Sequence, residues 1–417
     1  MINRVNVFYE GWGERWHWGT LAMTPSPHAP ILFEFTSEAL QQGLELSPLN
    51  LSLNSRTYSG FPKFNEGLPG VIADALPDGW GRLLMDRLFR QRGIDPNKVT
   101  VLERLTYISD TVMGAFSFHP EFALTDKTTD DIPLDLLARE AQTVLAGNDS
   151  ELLAQLVDIG GSPQGARPKV LIYRNEANRR TSTLNFDGAE PWLIKFPAQA
   201  EHIEVCAIEY VYAVCAFRCG LDVPQVEYFD LASGLAAFGA KRFDRKGKIR
   251  VPMHSLAGYL NTDFRIPNCD YDIFIRSTSH ITQNDVSEVK QAFACALFNV
   301  IFNNRDDHTK NFSYVLNEHR EWKLAPSYDL TYNEGPSGYH QMSVMGEAQL
   351  IPKQAIVALA KVANITDSEL AKMIERFATV AVDFSGLCNE LFNQEIRPAT
   401  IKHIQQTLNR NLTAIRS

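Results

Sequence analysis

Asn303-Asn304-Arg305-Asp306-Asp307-His308-Thr309-Lys310-Asn311-Phe312, followed after a short gap by Lys323-Leu324-Ala325-Pro326-Ser327-Tyr328-Asp329-Leu330, is the stretch on which the reading of this sequence turns. It offers an acid, an amide five residues on, and a second acid on a following strand-like segment. Phosphoryl transfer asks for that set in that order: a carboxylate to orient an attacking hydroxyl and two oxygen ligands for Mg²⁺. A polar surface turn between helix and strand accounts for any one of these residues taken singly. It accounts less well for the ordered set. Asp-x-His also raises zinc binding or nucleophile activation. No second His follows until His319, and no Cys or Glu stands at ligand spacing, so zinc is set aside. His308 is read as structural or nucleotide-side.

Working upstream, Asp285-Val-Ser-Glu288 matches a capping box ahead of Val289, Phe293, Leu297, Val300 and Ile301, which recur at helical spacing. Earlier still, Ile159-Gly160-Gly161-Ser162-Pro163-Gln164-Gly165-Ala166-Arg167-Pro168-Lys169 is glycine-rich between two strand candidates within Asp158 to Tyr173. Backbone N–H groups freed of side chains can approach phosphates there, although a plain hairpin reads the same way. It is neither a Walker A loop nor a GxGxxG. Lys195, in the strand Trp192-Leu-Ile-Lys-Phe-Pro, is a charge among apolar neighbours. It suits either an edge facing water or a nucleotide-phosphate lysine, and in the second case Glu209, on the helix expected over Ile203 to Cys219, is its natural partner. Further strands are expected near 226–230 and 235–243.

The start of the chain looks β-rich, with Val5 to Tyr9 and Trp16 to Met23 separated by the turn-prone Gly11-Trp-Gly-Glu. From Gly67 to Gly93 turn residues surround a helical pattern. The polar, acidic segment Thr125 to Asp135 is the best boundary. At 417 residues the chain exceeds one ordinary core, which seldom grows beyond about 250–300 residues. We therefore expect an amino-terminal module over 1–125, a small lobe over 126–255 and a mostly helical large lobe over 256–417. Strands first and helices after predict an α+β, two-lobed body.

A 45% hydrophobic and 21% charged composition is that of a globular chain, not a disordered one. The net charge of −9 argues against holding nucleic acid through the overall field, so any DNA contact is expected through a partner. The six cysteines form no CxxC pair and several sit in apolar stretches, which predicts buried free thiols in a reducing cytosol. With no leader-like segment and no apolar run approaching a membrane span, a soluble cytoplasmic protein is expected.

Across nearly its whole length the sequence resembles the HipA family of bacterial toxin kinases. The segments that carry the resemblance are Leu68-Pro-Gly with Ala75-Leu-Pro-Asp-Gly-Trp80, Gly160-Gly-Ser-Pro-Gln-Gly-Ala-Arg-Pro-Lys169, Leu193-Ile-Lys-Phe-Pro197, Lys241-Arg-Phe-Asp-Arg245, Asp306-Asp-His-Thr-Lys-Asn-Phe312 and Ala325-Pro-Ser-Tyr-Asp-Leu330. The resemblance implies a two-lobed, protein-kinase-like fold using ATP and Mg²⁺. It gives Asp306 as catalytic base, Asn311 and Asp329 as Mg²⁺ ligands, and Lys195, supported by Glu209, on the ATP phosphates. It gives Lys241, Arg242 and Phe243 beside adenine, and Gly161, Ser162, Gln164 and Gly165 in the loop over the phosphates. His308, Lys310 and Tyr328 complete the nucleotide side, and Ser162 is implied as a self-phosphorylated residue. At position 241 an acidic residue is expected from one well-known member of the family, and Lys stands there. Backbone contacts to adenine survive that change, whereas side-chain contacts do not. The resemblance also implies transfer to a serine or threonine of a protein such as an aminoacyl-tRNA synthetase, and a HipB-like DNA-binding antitoxin as partner. A small-molecule or lipid kinase on the same scaffold and a catalytically idle binding module are the competing readings.

Overall fold

The computed structural model describes residues 2–24, 30–108, 112–122, 131–160 and 165–417. Gly161, Ser162 and Gln164 lie outside the described residues, as does most of the boundary segment.

The amino-terminal strands form where the alternation predicts them. Arg4–Tyr9 and Trp16–Ala22 pair antiparallel, flanked by Phe116–His119 on one side and Leu32–Phe35 on the other. Period two sends Val5, Val7 and Tyr9 to one face, all buried with Trp18 and Phe33. Each such side chain removed from water contributes about 1.5–3 kcal/mol. That face does not close on itself. Its residues belong to the same core as Tyr271, Phe274 and Leu297 of the large lobe, so sheet and lobe share one interior. The approach is close at Gly70, where a Cβ would run into the Gly258 carbonyl.

The small lobe is a five-stranded antiparallel sheet in the order Thr181–Ser182, Lys169–Arg174, Glu190–Lys195, Leu235–Lys241, Val226–Leu231. One face packs Val170, Ile172, Trp192 and Ile194 on the helices Gly79–Gln91, Leu134–Leu145 and Leu153–Gly160. The opposite face lies under helix Glu204–Cys219, through Cys206, Ala236 and Phe238. Helix Gly79–Gln91 thus precedes the acidic segment in sequence yet fills the small lobe's core.

Two local expectations are corrected. The stretch from Asp158 is no strand: Leu153–Gly160 is helical, because Leu153, Leu156 and Ile159 recur at helical spacing and are buried. Asp285 does cap helix Val286–Ile301 by accepting from the Ser287 N–H, but Glu288 accepts from the Leu324 N–H instead of turning back. The capping box is therefore half formed, and its second half ties the helix to strand Trp322–Leu324.

The large lobe is mainly helical: Tyr271–Ile281, Val286–Ile301, Lys353–Val362, Asp367–Val382, Phe384–Leu391 and Pro398–Arg416. A three-stranded sheet of Met253–Ser255, Ser313–Leu316 and Trp322–Leu324 lies beside them. All six cysteines are buried and free, as their apolar surroundings predict. Among the described residues no helix is long and apolar enough to cross a membrane.

Candidate functional site

The site is assembled by the alternation of strand Glu190–Lys195. Trp192 and Ile194 point to the three helices, which sends Lys195 to the other face, under helix Glu204–Cys219. There Glu209 accepts from Lys195 Nζ at 2.5 Å, the partnership the sequence suggested. Asp329 also accepts from Lys195 Nζ, across the cleft from the large lobe. With Glu209 buried beside it and Asp329 partly exposed, the ammonium is held well above its usual range: burial pushes it down, and Asp329 and Glu209 more than offset that.

Lys169 closes the glycine-rich segment, where sequence alone assigns it no role. It is the cross-strand partner of Lys195, so two buried ammonium groups share one face of the sheet. Like charges directly opposite destabilise a strand pair unless anions offset them. Burial first, and the neighbouring Lys195, bring Lys169 down to about 8, against the pull of Asp329, Asp78 and Glu209. A pair of desolvated lysines at a cleft suits a polyphosphate. The signal in sequence was a second Lys opening a β-branched run, visible only once strand pairing is known.

On the large-lobe side, buried helix Val286–Ile301 ends at Phe302, and the polar stretch follows. Its acids have opposite fates. Asp307 is fully buried and accepts from Tyr271 Oη at 2.7 Å, His340 Nδ1 at 2.8 Å and the Gln341 N–H at 2.8 Å, so it pins the loop. Asp306 keeps 49% of its side chain exposed. Its carboxyl is raised by lost hydration and by the Asp329 and Asp307 carboxylates, with His308, 3.9 Å away, pulling the other way. A half-exposed carboxylate with a raised pKa at a cleft is suited to accept or orient a proton.

Asn311 donates from its amide nitrogen to the Asp306 carbonyl at 2.7 Å, which leaves its oxygen end to meet a cation. Asp329 sits at φ 54°, a left-handed conformation that a non-glycine residue adopts at a cost and that aims it at Lys195. Lys195 and Lys169 hold its carboxyl well below the usual range against burial. One carboxylate and one amide oxygen form a hard-oxygen donor pair. That fits Mg²⁺, which keeps several waters and takes few protein ligands.

The remaining predicted residues are distributed as follows. Phe243 and Tyr328 bring their rings to 5.4 Å. Tyr328 Oη donates to the Lys310 carbonyl at 2.7 Å. His308 packs on Phe264, with centroids 5.4 Å apart. Lys241 extends to Glu176 at 3.3 Å on the exposed side. Arg242 is turned inward to Asp244 and to the Val112 carbonyl, bracing the segment between the lobes. Lys310 Nζ reaches Asp78 at 2.7 Å, and Asp78 also accepts from the Gly165 N–H. Trp80, two residues on, donates from its backbone N to the Gly165 carbonyl and from Nε1 to the Lys169 carbonyl, each at 3.0 Å. The Leu-Pro-Asp-Gly-Trp motif therefore holds the exit of the glycine-rich segment against the Asp306-to-Asn311 loop. Sequence reading quoted that motif without finding this purpose.

Fold and cleft together define a two-lobed, kinase-like α+β protein carrying a β-rich amino-terminal module. Two family models match the chain, the HipA N-terminal domain over residues 9–119 and the HipA-like C-terminal domain over residues 161–384, and the chain belongs to the HipA family. Among solved structures it is similar to the Shewanella oneidensis MR-1 toxin–antitoxin complex of HipA, HipB and operator DNA, with a TM-score of 0.69 at 17% identity over 99% of each chain. Helicobacter pylori proinflammatory kinase CtkA aligns at a TM-score of 0.42 and 12% identity, over 60% of this chain and 89% of that one. No curated protein matches by sequence.

Proposed function

We propose that this chain is an ATP- and Mg²⁺-dependent serine/threonine protein kinase acting as the toxin of a toxin–antitoxin pair. The observation that carries the reading is the convergence of Lys195 and Glu209 of the small lobe with Asp329 of the large lobe across the cleft, with Asp306 and Asn311 on the adjoining loop. Lys195 and Lys169 neutralise the nucleotide phosphates, while Phe243 and Tyr328 flank the base. Asp306 orients the attacking hydroxyl and takes up its proton. Asn311 and Asp329 are the residues that would hold Mg²⁺, which would supply charge neutralisation to the nucleotide phosphates. Asp329 would then exchange its Lys195 contact for the cation.

The protein target follows the family resemblance, an aminoacyl-tRNA synthetase, whose modification stalls translation. Ser162 is the proposed self-phosphorylation site. Phosphate there carries about −1.5 to −2 charges into the space that a γ-phosphate takes, and repulsion expels the loop. A HipB-like antitoxin is the proposed route to DNA, since a chain of net charge −9 lacks the basic field for it.

The test is transfer of label from γ-labelled ATP in a cell lysate. One labelled protein band supports the reading. Label only in small molecules makes the chain a small-molecule or lipid kinase, and no label at all makes it an idle regulatory module. Peptide mapping of the incubated chain checks Ser162.

A further inference from the structure

Arg305 stands immediately before Asp306 and takes no part in the cleft just described. It is 6% exposed, and its guanidinium meets no carboxylate among the described residues. Two of its five N–H groups donate to backbone carbonyls, of Gly338 and, at 2.7 Å, of Gln349, while Nε has no partner. A buried cation whose hydrogen bonds go only to carbonyl dipoles, with Asp307 and Glu334 acting on it from beyond ion-pair distance, is incompletely compensated. Burial first, and then the charge of Arg410, press Arg305 below its ordinary value, against the weaker pull of Tyr332, Asp307 and Glu334, so a second guanidinium adds to the cost. Arg410, exposed on helix Pro398–Arg416, makes no ion pair or hydrogen bond among the described residues.

Both arginines line one cavity of about 500 Å³, together with Asn303, Ser337 and Gly338. The single carboxylate in its wall, Glu334, is turned to His403 at 2.8 Å and to Tyr332 Oη at 3.2 Å. Ser337 is exposed on the rim at φ 54°, between Gly335 at 67° and Gly338 at 79°, in the turn that wraps Arg305.

We infer that this cavity is an anion site for a phosphate monoester, held by Arg305 and Arg410 and lying beside, but outside, the phosphoryl-transfer cleft. Arginine forks match the oxygens of a phosphate, and a dianion offsets both charges at once. Two sources supply the same chemistry, phosphoserine at Ser337 of the wrapping turn or a free phosphorylated small molecule. In the first case the Ser337 Oγ–P bond forms as the bond from the γ-phosphorus to ADP breaks. ATP is the donor, and the hydroxyl proton leaves to a carboxylate of the kinase that acts. Occupancy clamps the 332–349 segment on Arg305 and so stiffens the backbone that presents Asp306.

The test measures binding, not turnover, so it is independent of the kinase reading. The full chain, treated with phosphatase and saturated with Mg²⁺ and a non-hydrolysable ATP analogue, is titrated calorimetrically with inorganic phosphate and with O-phosphoserine. Saturable binding is expected, weakened about tenfold or more in Arg410→Ala and Arg410→Glu. Saturable binding to the untreated chain, with Ser337 unmodified by peptide mapping, identifies a free phosphorylated ligand. If binding to the untreated chain is absent and peptide mapping finds phosphate on Ser337, the turn's own phosphoserine is the occupant. Absence of saturable binding to the treated chain, or equal affinity in the Arg410 variants, overturns the proposal.

Discussion

Asp78 joins three segments that are distant in sequence, and replacing it tests whether that junction serves the cleft. Its carboxylate holds Lys310 Nζ at 2.7 Å and the Gly165 N–H, with side-chain exposures of 20% for Asp78 and 14% for Lys310. Breaking a fully buried pair from one side costs about 3–5 kcal/mol and an exposed one about 0–1. This intermediate pair corresponds to about 2 kcal/mol, and the charged bond to Gly165 adds about 1. Asp78→Ala is thus expected to lose about 3 kcal/mol. Asp78→Asn keeps an acceptor for Gly165 and loses about 1.5–2. Burial pushes the Asp78 carboxyl up, but Lys310 and the Gly165 N–H outweigh it and hold it below its usual value. A lowered folded-state pKa stabilises above the unfolded value, about 4, and the contribution is lost as pH falls below that. The assay is a double-mutant cycle of Asp78→Asn with Lys310→Met, read in both thermal unfolding and kcat/KM for phosphoryl transfer. A coupling of about 1–2 kcal/mol is expected, with kcat/KM down about tenfold as the two loops lose their mutual position. A coupling within about 0.3 kcal/mol of zero, or full turnover in Asp78→Ala, would refute the argument.

Other outcomes follow from the same cleft. Asp306→Asn should lower transfer by about 10²–10⁴ while leaving Mg·ATP affinity near that of the parent, because nucleotide binding rests on other groups; unchanged turnover removes Asp306 from the mechanism. Asp329→Ala and Asn311→Ala should each weaken nucleotide binding in the presence of Mg²⁺ more than in its absence, and calorimetry under both conditions checks it. Lys169, at about 8, is charged below that pH, so nucleotide affinity should fall as pH rises from 8 to 10. That slope should vanish in Lys169→Met, with Lys195, held high by its carboxylates, still charged throughout.

Local periodicity was enough to read the strands at Arg4–Tyr9, Trp16–Ala22 and Glu190–Lys195, and the helices at Glu204–Cys219 and Val286–Ile301. In each the apolar spacing and the burial requirement agree. Leu153–Gly160 resembles a strand entering a turn because two glycines and a proline follow, while the helical spacing of Leu153, Leu156 and Ile159 begins upstream of Asp158. The Lys195–Glu209 pair was legible because strand and helix are adjacent in the chain and one charge stands alone among apolar neighbours. Lys169, Asp78 and Arg305 were not. Each acquires its meaning from a partner across the fold: Lys195 on the next strand, Lys310 on the far lobe, and the Gly338 and Gln349 carbonyls on a returning loop. Sequence spacing carries no trace of such distances.

The placement of helix Gly79–Gln91 has a mechanical consequence. Its chain leaves the amino-terminal sheet, whose interior is continuous with the large lobe, and enters the small lobe's separate core through Trp80, Leu84 and Phe89. The helix is thus one of the links between the two cores, beside helix Glu204–Cys219 and the Lys195–Asp329 contact. Its first turn, at Asp78 to Trp80, grips Gly165 and Lys310 together, so the chain that leaves the amino-terminal module is tied at one point to both the exit of the glycine-rich segment and the loop of the large lobe.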